Sequence, residues 1–388
     1  MKQEAVYIFS QEQLQYKFHH DHPFNQHRLS ITTDLLKAAD ALSDDFILPA
    51  RQATLEELLL IHDEDYIQAV IAAAEGQGRS SYRTTYGIGT DDTPVFPQMH
   101  DAAAWLVGGT LTAVDCVMSN AYSHALNLGG GLHHGFRGKA SGFCIYNDSS
   151  IAIEYIRQKY GARVLYVDTD AHHGDGVQWA FYNDPDVCTL SFHESGRFLF
   201  PGTGHVNERG HGDGYGYSFN IPFEAFTEDA SWLSSYRKAM REVTAYFKPD
   251  IILTQNGADA HYYDPLTHLC STMTIFHEIP KLAHELAHEF CDGRWVAVGG
   301  GGYDIWRVVP RAWSSLWLEM SNQQHKMKTC IPDTWIKQWE KEAPVSLPTS
   351  WTDPEGIYPH ISRQADIETK NRRSLIKALK PIIDISDK

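Results

Sequence analysis

Basic residues are scarce in this chain. Its 388 residues hold 33 Lys and Arg against 49 Asp and Glu, a formal net charge of −16. Binding a nucleic-acid backbone needs a basic face, so that partner is excluded, while a cationic, lysine-bearing substrate is compatible. Paired cysteines are missing too. The six cysteines (116, 144, 188, 270, 291 and 330) are dispersed, with no Cys-x-x-Cys among them. That excludes a disulfide frame and a cysteine zinc site and points to reduced thiols. No stretch reaches the roughly 18 uninterrupted apolar residues of a membrane span. The opening "MKQEAVYIFSQEQ" lacks the basic flank and apolar run of a secretory signal. The expectation is a soluble, cytoplasmic protein with no membrane partner. Internal repeats are absent, and no low-complexity linker occurs before about residue 320.

What is present is a 43% apolar content, enough for a sizeable core, and 21 histidines, many for this length. Short β-branched runs alternate with longer amphipathic ones, the pattern of a mainly parallel sheet flanked by helices. Strands are expected at 5–9, 125–128, 163–168, 187–192, 251–255 and 295–299. Helices are expected from Thr54, where Thr54 and Glu57 make a capping box, and over roughly 98–119, 228–247 and 273–291. Beyond Met320 the chain turns polar and proline-broken, yet carries Trp335, Trp339 and Trp351. The reading is a single α/β domain over 1–320 with a C-terminal extension, 321–388, packed on it.

Four polar clusters follow expected strands: "GGGLHHG" (129–135), "DTDAHHGDGVQ" (168–178), "NGADAHYYDPL" (256–266) and "GGGGYD" (299–304). In open α/β sheets, ligands bind outside the carboxyl ends of the strands. Four strand ends therefore deliver histidines, aspartates and a tyrosine to one crevice. Glycine runs are poor structural choices unless a backbone must approach something closely. Neither run here is a Gly-x-Gly-x-x-Gly that opens a helix, so dinucleotide binding is not indicated.

Asp168, Asp170 and His172 share a face if their strand persists, and stay close if it ends at Asp170. An isolated Asp-x-His is more often a hydrogen-bonded turn than a metal site. The neighbours His133, His134, Asp175 and Tyr303 reverse that preference, because buried carboxylates and imidazoles together are costly without a cation. Asp170 and His172 supply two ligands, and Asp259, the first carboxylate after its strand, is the best third. Two aspartates, one histidine and an open position make a catalytic Zn²⁺ site, or an Fe²⁺ one. Asp168 and Asp175 are left to orient the tandem histidines as acid–base groups, and Tyr303 is a phenol placed to donate to an oxyanion.

These motifs, with "GGGLHHGFRGKASGFCIYND" (129–148) and "FPGTG" (200–204), resemble the zinc-dependent histone deacetylase family, most of all its bacterial acetoin utilization branch. The likeness covers roughly residues 5–320 in five motifs in the family's order. It implies the arginase–deacetylase fold and hydrolysis of N-ε-acetyl-lysine in proteins to lysine and acetate, with acetylated acetyl-CoA synthetase as the substrate that branch suggests. By motif it makes Asp170, His172 and Asp259 the zinc ligands, pairs His133 with Asp168 and His134 with Asp175, and makes Tyr303 the carbonyl-polarising residue. Gly142, Phe143 and Phe200 would line the channel gripping the lysine methylenes. The rim aspartate falls in "DDTP", at Asp92 with Asp91 its alternative, and Arg28 would lie near an acetate exit cavity. A structural K⁺ would sit under the zinc loop on main-chain oxygens of Asp168, Asp170 and His172, with Ser191 and Phe192. Asp304 stands where the family often has a neutral residue, and adds acidity that favours cationic substrates.

Which tandem histidine is base and which is acid stays open at this level, as does the oligomeric state. Three other readings compete: a deacetylase of small acetylated amines or polyamines, a two-metal ureohydrolase on the same fold, and a degenerate sensor. The ureohydrolase needs carboxylates to bridge a second metal, and after "NGAD" the next acid is Asp264. The sensor predicts loss of a ligand or of Tyr303, and none is lost.

Overall fold

The computed structural model describes residues 3–382. Eight strands form one wholly parallel sheet: β1 (Gln3–Ile8), β2 (Ile47–Leu48), β3 (Tyr122–Asn127), β4 (Val164–Asp168), β5 (Val187–Glu194), β6 (Ser218–Phe223), β7 (Ile251–Gln255) and β8 (Trp295–Val298). Their spatial order is β2-β1-β3-β8-β7-β4-β5-β6. Strands buried on both faces read as continuous apolar runs, and every residue of β4, β5, β7 and β8 is buried. Alternate residues feed two cores. Leu165 and Val167 join the core containing Trp232, Trp313 and Trp317, while Val164 and Tyr166 join the core of Leu111, Ile151 and Leu253 on the opposite face.

Helices Met99–Met118 and Asp148–Tyr160 cover one face; Asp229–Phe247, Met273–Phe290 and Val309–Met320 cover the other. The expected Thr54 cap forms, with Thr54 Oγ1 accepting from Glu57 N at 3.3 Å and Glu57 Oε2 from Thr54 N at 2.9 Å, but the helix stops after Leu58. Helix Met99–Met118 is long and apolar enough to cross a membrane by length and composition; 67% of its most apolar window is buried inside this fold.

The C-terminal segment adds to the same core. Trp335 and Trp351 are fully buried, and Trp335 Nε1 donates to the carbonyl of Ile31 at 3.0 Å. Asp353 accepts from Met273 N (2.8 Å) and Arg311 Nη2 (2.9 Å) and lies 3.0 Å from His261 Nε2, two residues beyond Asp259. Helix Gln364–Ala378 seats Asn371, whose Nδ2 donates to Thr227 Oγ1 at 2.8 Å.

The strand order matters for function. β3, β8, β7 and β4 are the four contiguous central strands, and each ends in one of the four polar clusters. β4 and β7 are neighbours, but the connection leaving β4 runs to β5 on one side and that leaving β7 runs to β8 on the other. Such a switch point opens a crevice at the carboxyl edge.

Candidate active site

β4 ends at Asp168, so the face shared along the strand breaks there, and the three acidic and imidazole groups divide between two jobs. Asp168 Oδ2 turns to His133 Nδ1 at 2.7 Å and also accepts from the Tyr166 hydroxyl at 2.7 Å. Asp170 and His172 turn the other way, toward Asp259 from the end of β7. His172 Nδ1 lies 3.1 Å from Asp170 Oδ1 and 2.9 Å from Asp259 Oδ2, and one ligand atom from each of the three residues falls within 4.8 Å of the others.

The second dyad repeats the first. His134 Nδ1 lies 2.7 Å from Asp175 Oδ1, and the two tandem imidazoles pack with centroids 4.0 Å apart. His133 Nε2 comes within 4.0 Å of Asp170 Oδ2, so the dyads border the Asp–His–Asp trio. Tyr303 closes the far side, its ring edge-on to His172 at 6.4 Å and to Phe143 at 5.9 Å. Phe200 is exposed and lies edge-on to His134 at 5.0 Å. Gly142 abuts His134, placing Phe143 beside the same mouth.

The glycine run before Tyr303 has a concrete cause. Gly301 N donates to Asp170 Oδ2 at 2.7 Å, and a Cβ on Gly301 would stand 2.3 Å from Asp259 Oδ2. Only a residue without a side chain lets that backbone reach the trio.

The donor set fits a divalent cation. Burial and the neighbouring Asp170 push the Asp259 carboxyl up to about 7. Burial also opposes charge on Asp170, but His133 and His172 hold it well below the usual carboxylate range. Two carboxylates buried side by side are thus driven apart, one up and one down, a conflict that a divalent cation between them would relieve. Asp170, His172 and Asp259 would offer such an ion an O, N, O ligand set, leaving further positions open. The dyads split too. Burial opposes charge on His133, but Asp168, Asp170 and Asp175 outweigh it and push the imidazole up to about 9. Burial, then the adjacent His133, lowers His134. Burial, then Asp259 and Asp170, keeps the Tyr303 phenol protonated far above neutral pH.

Of the more distant expectations, Arg28 is buried beneath the tyrosine loop. Its Nη1 donates to the Gly302 carbonyl at 3.0 Å, and its guanidinium lies over Phe24 (4.4 Å) and Trp313 (4.8 Å). Asp92 sits on an exposed loop, and its carbonyl oxygen is 3.2 Å from Nε2 of His22, which packs on Phe143. Asp91 is paired with Arg83 at 3.2 Å, whereas the Asp92 carboxylate has no such ion pair among the described residues. Ser191 is the register partner of Asp168, so residues expected to hold K⁺ lie side by side on β4 and β5, with the Phe192 ring turned into the core against Tyr236. Asp304 corrects an expectation. Its carboxylate is buried and accepts from Arg307 N (2.8 Å) and Nε (2.7 Å), so its charge is neutralised within the chain and biases no substrate.

Sequence reasoning missed three supports. Gln255, the last residue of β7, donates from Nε2 to Asp170 Oδ2 at 2.8 Å. Asp148 is buried and accepts from Gly131 N (3.0 Å), Leu132 N (2.8 Å) and Thr110 Oγ1 (2.7 Å), which fixes the loop bearing the tandem histidines. Asp264 accepts from Tyr303 N at 2.9 Å. A polar residue ending an apolar strand, as Gln255 does, was the available signal.

Comparison with known proteins follows this geometry. The histone deacetylase domain model matches residues 22–320. The acetoin utilization protein AcuC of Bacillus subtilis is 61% identical over 376 residues, 97% of each chain. The AcuC of Staphylococcus xylosus is 45% identical over 379 residues, 98% of each chain. A crystal structure of an HDAC homolog from Aquifex aeolicus superposes with a TM-score of 0.84 at 30% identity, covering 95% of this chain and all of that one. An HDAC homolog complexed with SAHA superposes with a TM-score of 0.82, also at 30% identity, over 96% of this chain.

Proposed function

This chain belongs to the histone deacetylase family of deacetylating hydrolases, and we propose that it is a zinc-dependent amidohydrolase acting on N-ε-acetyl-lysine in proteins. One observation carries the reading: two His–Asp dyads face an Asp–His–Asp trio, with a protonated phenol across from them. Asp170, His172 and Asp259 would hold the ion, Zn²⁺ or Fe²⁺. When bound, it polarises the amide carbonyl and acidifies the attacking water.

The chain's own residues do the rest. His134, held neutral and oriented by Asp175, accepts the proton of the attacking water at Nε2. His133 stays protonated against Asp168 and places positive charge beside the developing oxyanion. Tyr303 donates a hydrogen bond from its hydroxyl to that oxygen as charge builds. The proton collected by His134 then passes to the departing lysine nitrogen, giving lysine and acetate. Phe143, Phe200 and Gly142 form the walls for the lysine methylenes, and Asp92 accepts from substrate backbone N–H groups at the rim. Arg28 backs the tyrosine loop on the acetate side. K⁺ under the loop, on Asp168, Asp170, His172, Ser191 and Phe192, completes the proposal, as do a cytoplasmic setting and a catalytic unit of 1–320 carrying an extension.

Acetylated acetyl-CoA synthetase is the protein substrate suggested by likeness to the AcuC proteins. Small acetylated amines and polyamines would enter the same channel. The two-metal ureohydrolase is disfavoured, since Asp264 is engaged with Tyr303 N and Leu266 N and Asp168 with His133. The test is acetate release by the zinc-loaded protein from acetylated proteins, peptides and polyamines side by side. Release from protein lysine is expected; activity on polyamines alone would reassign the substrate, and none on any acetylated amine would overturn the reading.

A further inference from the structure

Near the amino ends of the strands, away from the crevice, a second set of metal-binding side chains converges. Helix Met273–Phe290 contains the run His-Glu-Leu-Ala-His (284–288). Histidines four apart on a helix share one face, the arrangement by which His-Glu-x-x-His segments hold zinc. Here that face meets His124 of β3 and Glu4 of β1. His288 Nε2 lies 3.1 Å from His284 Nε2 and 3.3 Å from His124 Nε2. Glu4 Oε1 lies 3.5 Å from His124 Nε2 and 3.8 Å from His288 Nε2, and all four ligand atoms fall within 4.8 Å of one another.

We propose that Glu4, His124, His284 and His288 bind one divalent transition ion, Zn²⁺ by preference, as a closed structural site. Tetrahedral ligands at Zn–N distances of about 2.0–2.1 Å stand roughly 3.3 Å apart, close to the nitrogen separations seen here. His288 Nε2 can share one proton with one imidazole at a time, whereas a cation serves all of them. The supporting shell is present as well: His284 Nδ1 lies 2.9 Å from Glu319 Oε1, the carboxylate–histidine pairing that orients metal-bound imidazoles.

The same geometry excludes the protease chemistry associated with such a run. Glu285, which would be the general base, is instead paired with Arg241 at 2.9 and 3.0 Å. Four protein ligands also leave no open position for water and substrate. The ion's effect is mechanical: it ties β1, β3 and helix Met273–Phe290 together across long stretches of chain, where a cross-link restricts the unfolded state most.

The test uses the full chain equilibrated with micromolar Zn²⁺, its bound metal counted by mass spectrometry, and Co²⁺ substitution followed by visible absorption. Wild type is expected to hold two ions, and both His288→Ala and Glu4→Gln/His288→Ala one. The variants should keep wild-type acetate release, and should lose the rise in Tm that Zn²⁺ gives the wild type. His288 and Glu4 are about half exposed, so these variants spare the core. A wild-type ion count that His288→Ala leaves unchanged would overturn the proposal. Asp259→Asn removes the crevice ion instead, so failure at one site is distinguishable from failure at the other.

Discussion

The backbone of Gly142 stands against the imidazole of His134, so close that a Cβ on Gly142 would lie 2.4 Å from His134 Cδ2. Gly142 also has a left-handed φ of +50°. A methyl group there must displace the ring that Asp175 orients. Gly142→Ala is expected to fold, keep its zinc and lose activity by about 10²-fold, the scale of a misplaced acid–base group. Near-normal turnover would show that His134 is not the base.

Tyr303→Phe keeps the packing against Phe143 and His172 and removes one hydroxyl. Loss of an oxyanion donor costs about 10²–10³ in kcat. Binding of an acetyl-lysine peptide should persist, because the hydroxyl acts mainly on the transition state. A variant within a few-fold of wild type would sink the proposed role.

Asp259→Asn leaves shape intact but takes a charged ligand from the trio. Loss of the crevice ion together with activity is expected on dialysis. His133→Ala and His134→Ala should keep that ion and lose about 10²–10⁴ in rate. Metal analysis of the three variants separates ligands from proton carriers.

The two imidazoles should titrate apart. In the metal-free chain His133 is held near 9 by its carboxylates, against about 6.5 unfolded. Its charged form therefore contributes stability that is complete below about 6.5 and is lost as pH rises through 9. His134 is shifted downward, so its contribution is present above 6.5 and is lost as pH falls through its lowered value. NMR titration of the ring protons checks both directions. Zinc, by neutralising Asp170, should lower the His133 value, and coincident titration of the two rings near 6.5 would contradict the assignment of base.

Trp335→Ala tests the C-terminal segment. The indole is fully buried and hydrogen-bonded to Ile31, far away in sequence. A cost of about 3–5 kcal/mol is expected for truncating such a side chain. Chemical denaturation would read it directly.

The site was legible because its residues cluster where apolar strands stop. Asp170, His172, the tandem histidines and Tyr303 each sit within a few residues of a strand end, so topology alone gathers them. β6 escaped because Pro222 and Asn220 interrupt its apolar pattern, which an edge strand tolerates and a central one does not. Asp304 misled because its partner, Arg307, is chosen by the local turn, which a count of charges does not see. The set of Glu4, His124, His284 and His288 was only half in view: the run 284–288 carries two of its histidines, but Glu4 and His124 come from two distant strands that only the fold brings beside them.

Asp353 gives the crevice a dependence on the order of synthesis. The loop carrying Asp259 leans, through His261, on a carboxylate that follows it by nearly a hundred residues. Chains grow at roughly 5–20 residues per second and begin to fold as they emerge. The central strands can therefore assemble well before the aspartate that braces their metal loop has left the ribosome. A chain ended just past Met320 would keep the crevice side chains but lack the carboxylate that meets His261 and Met273 N.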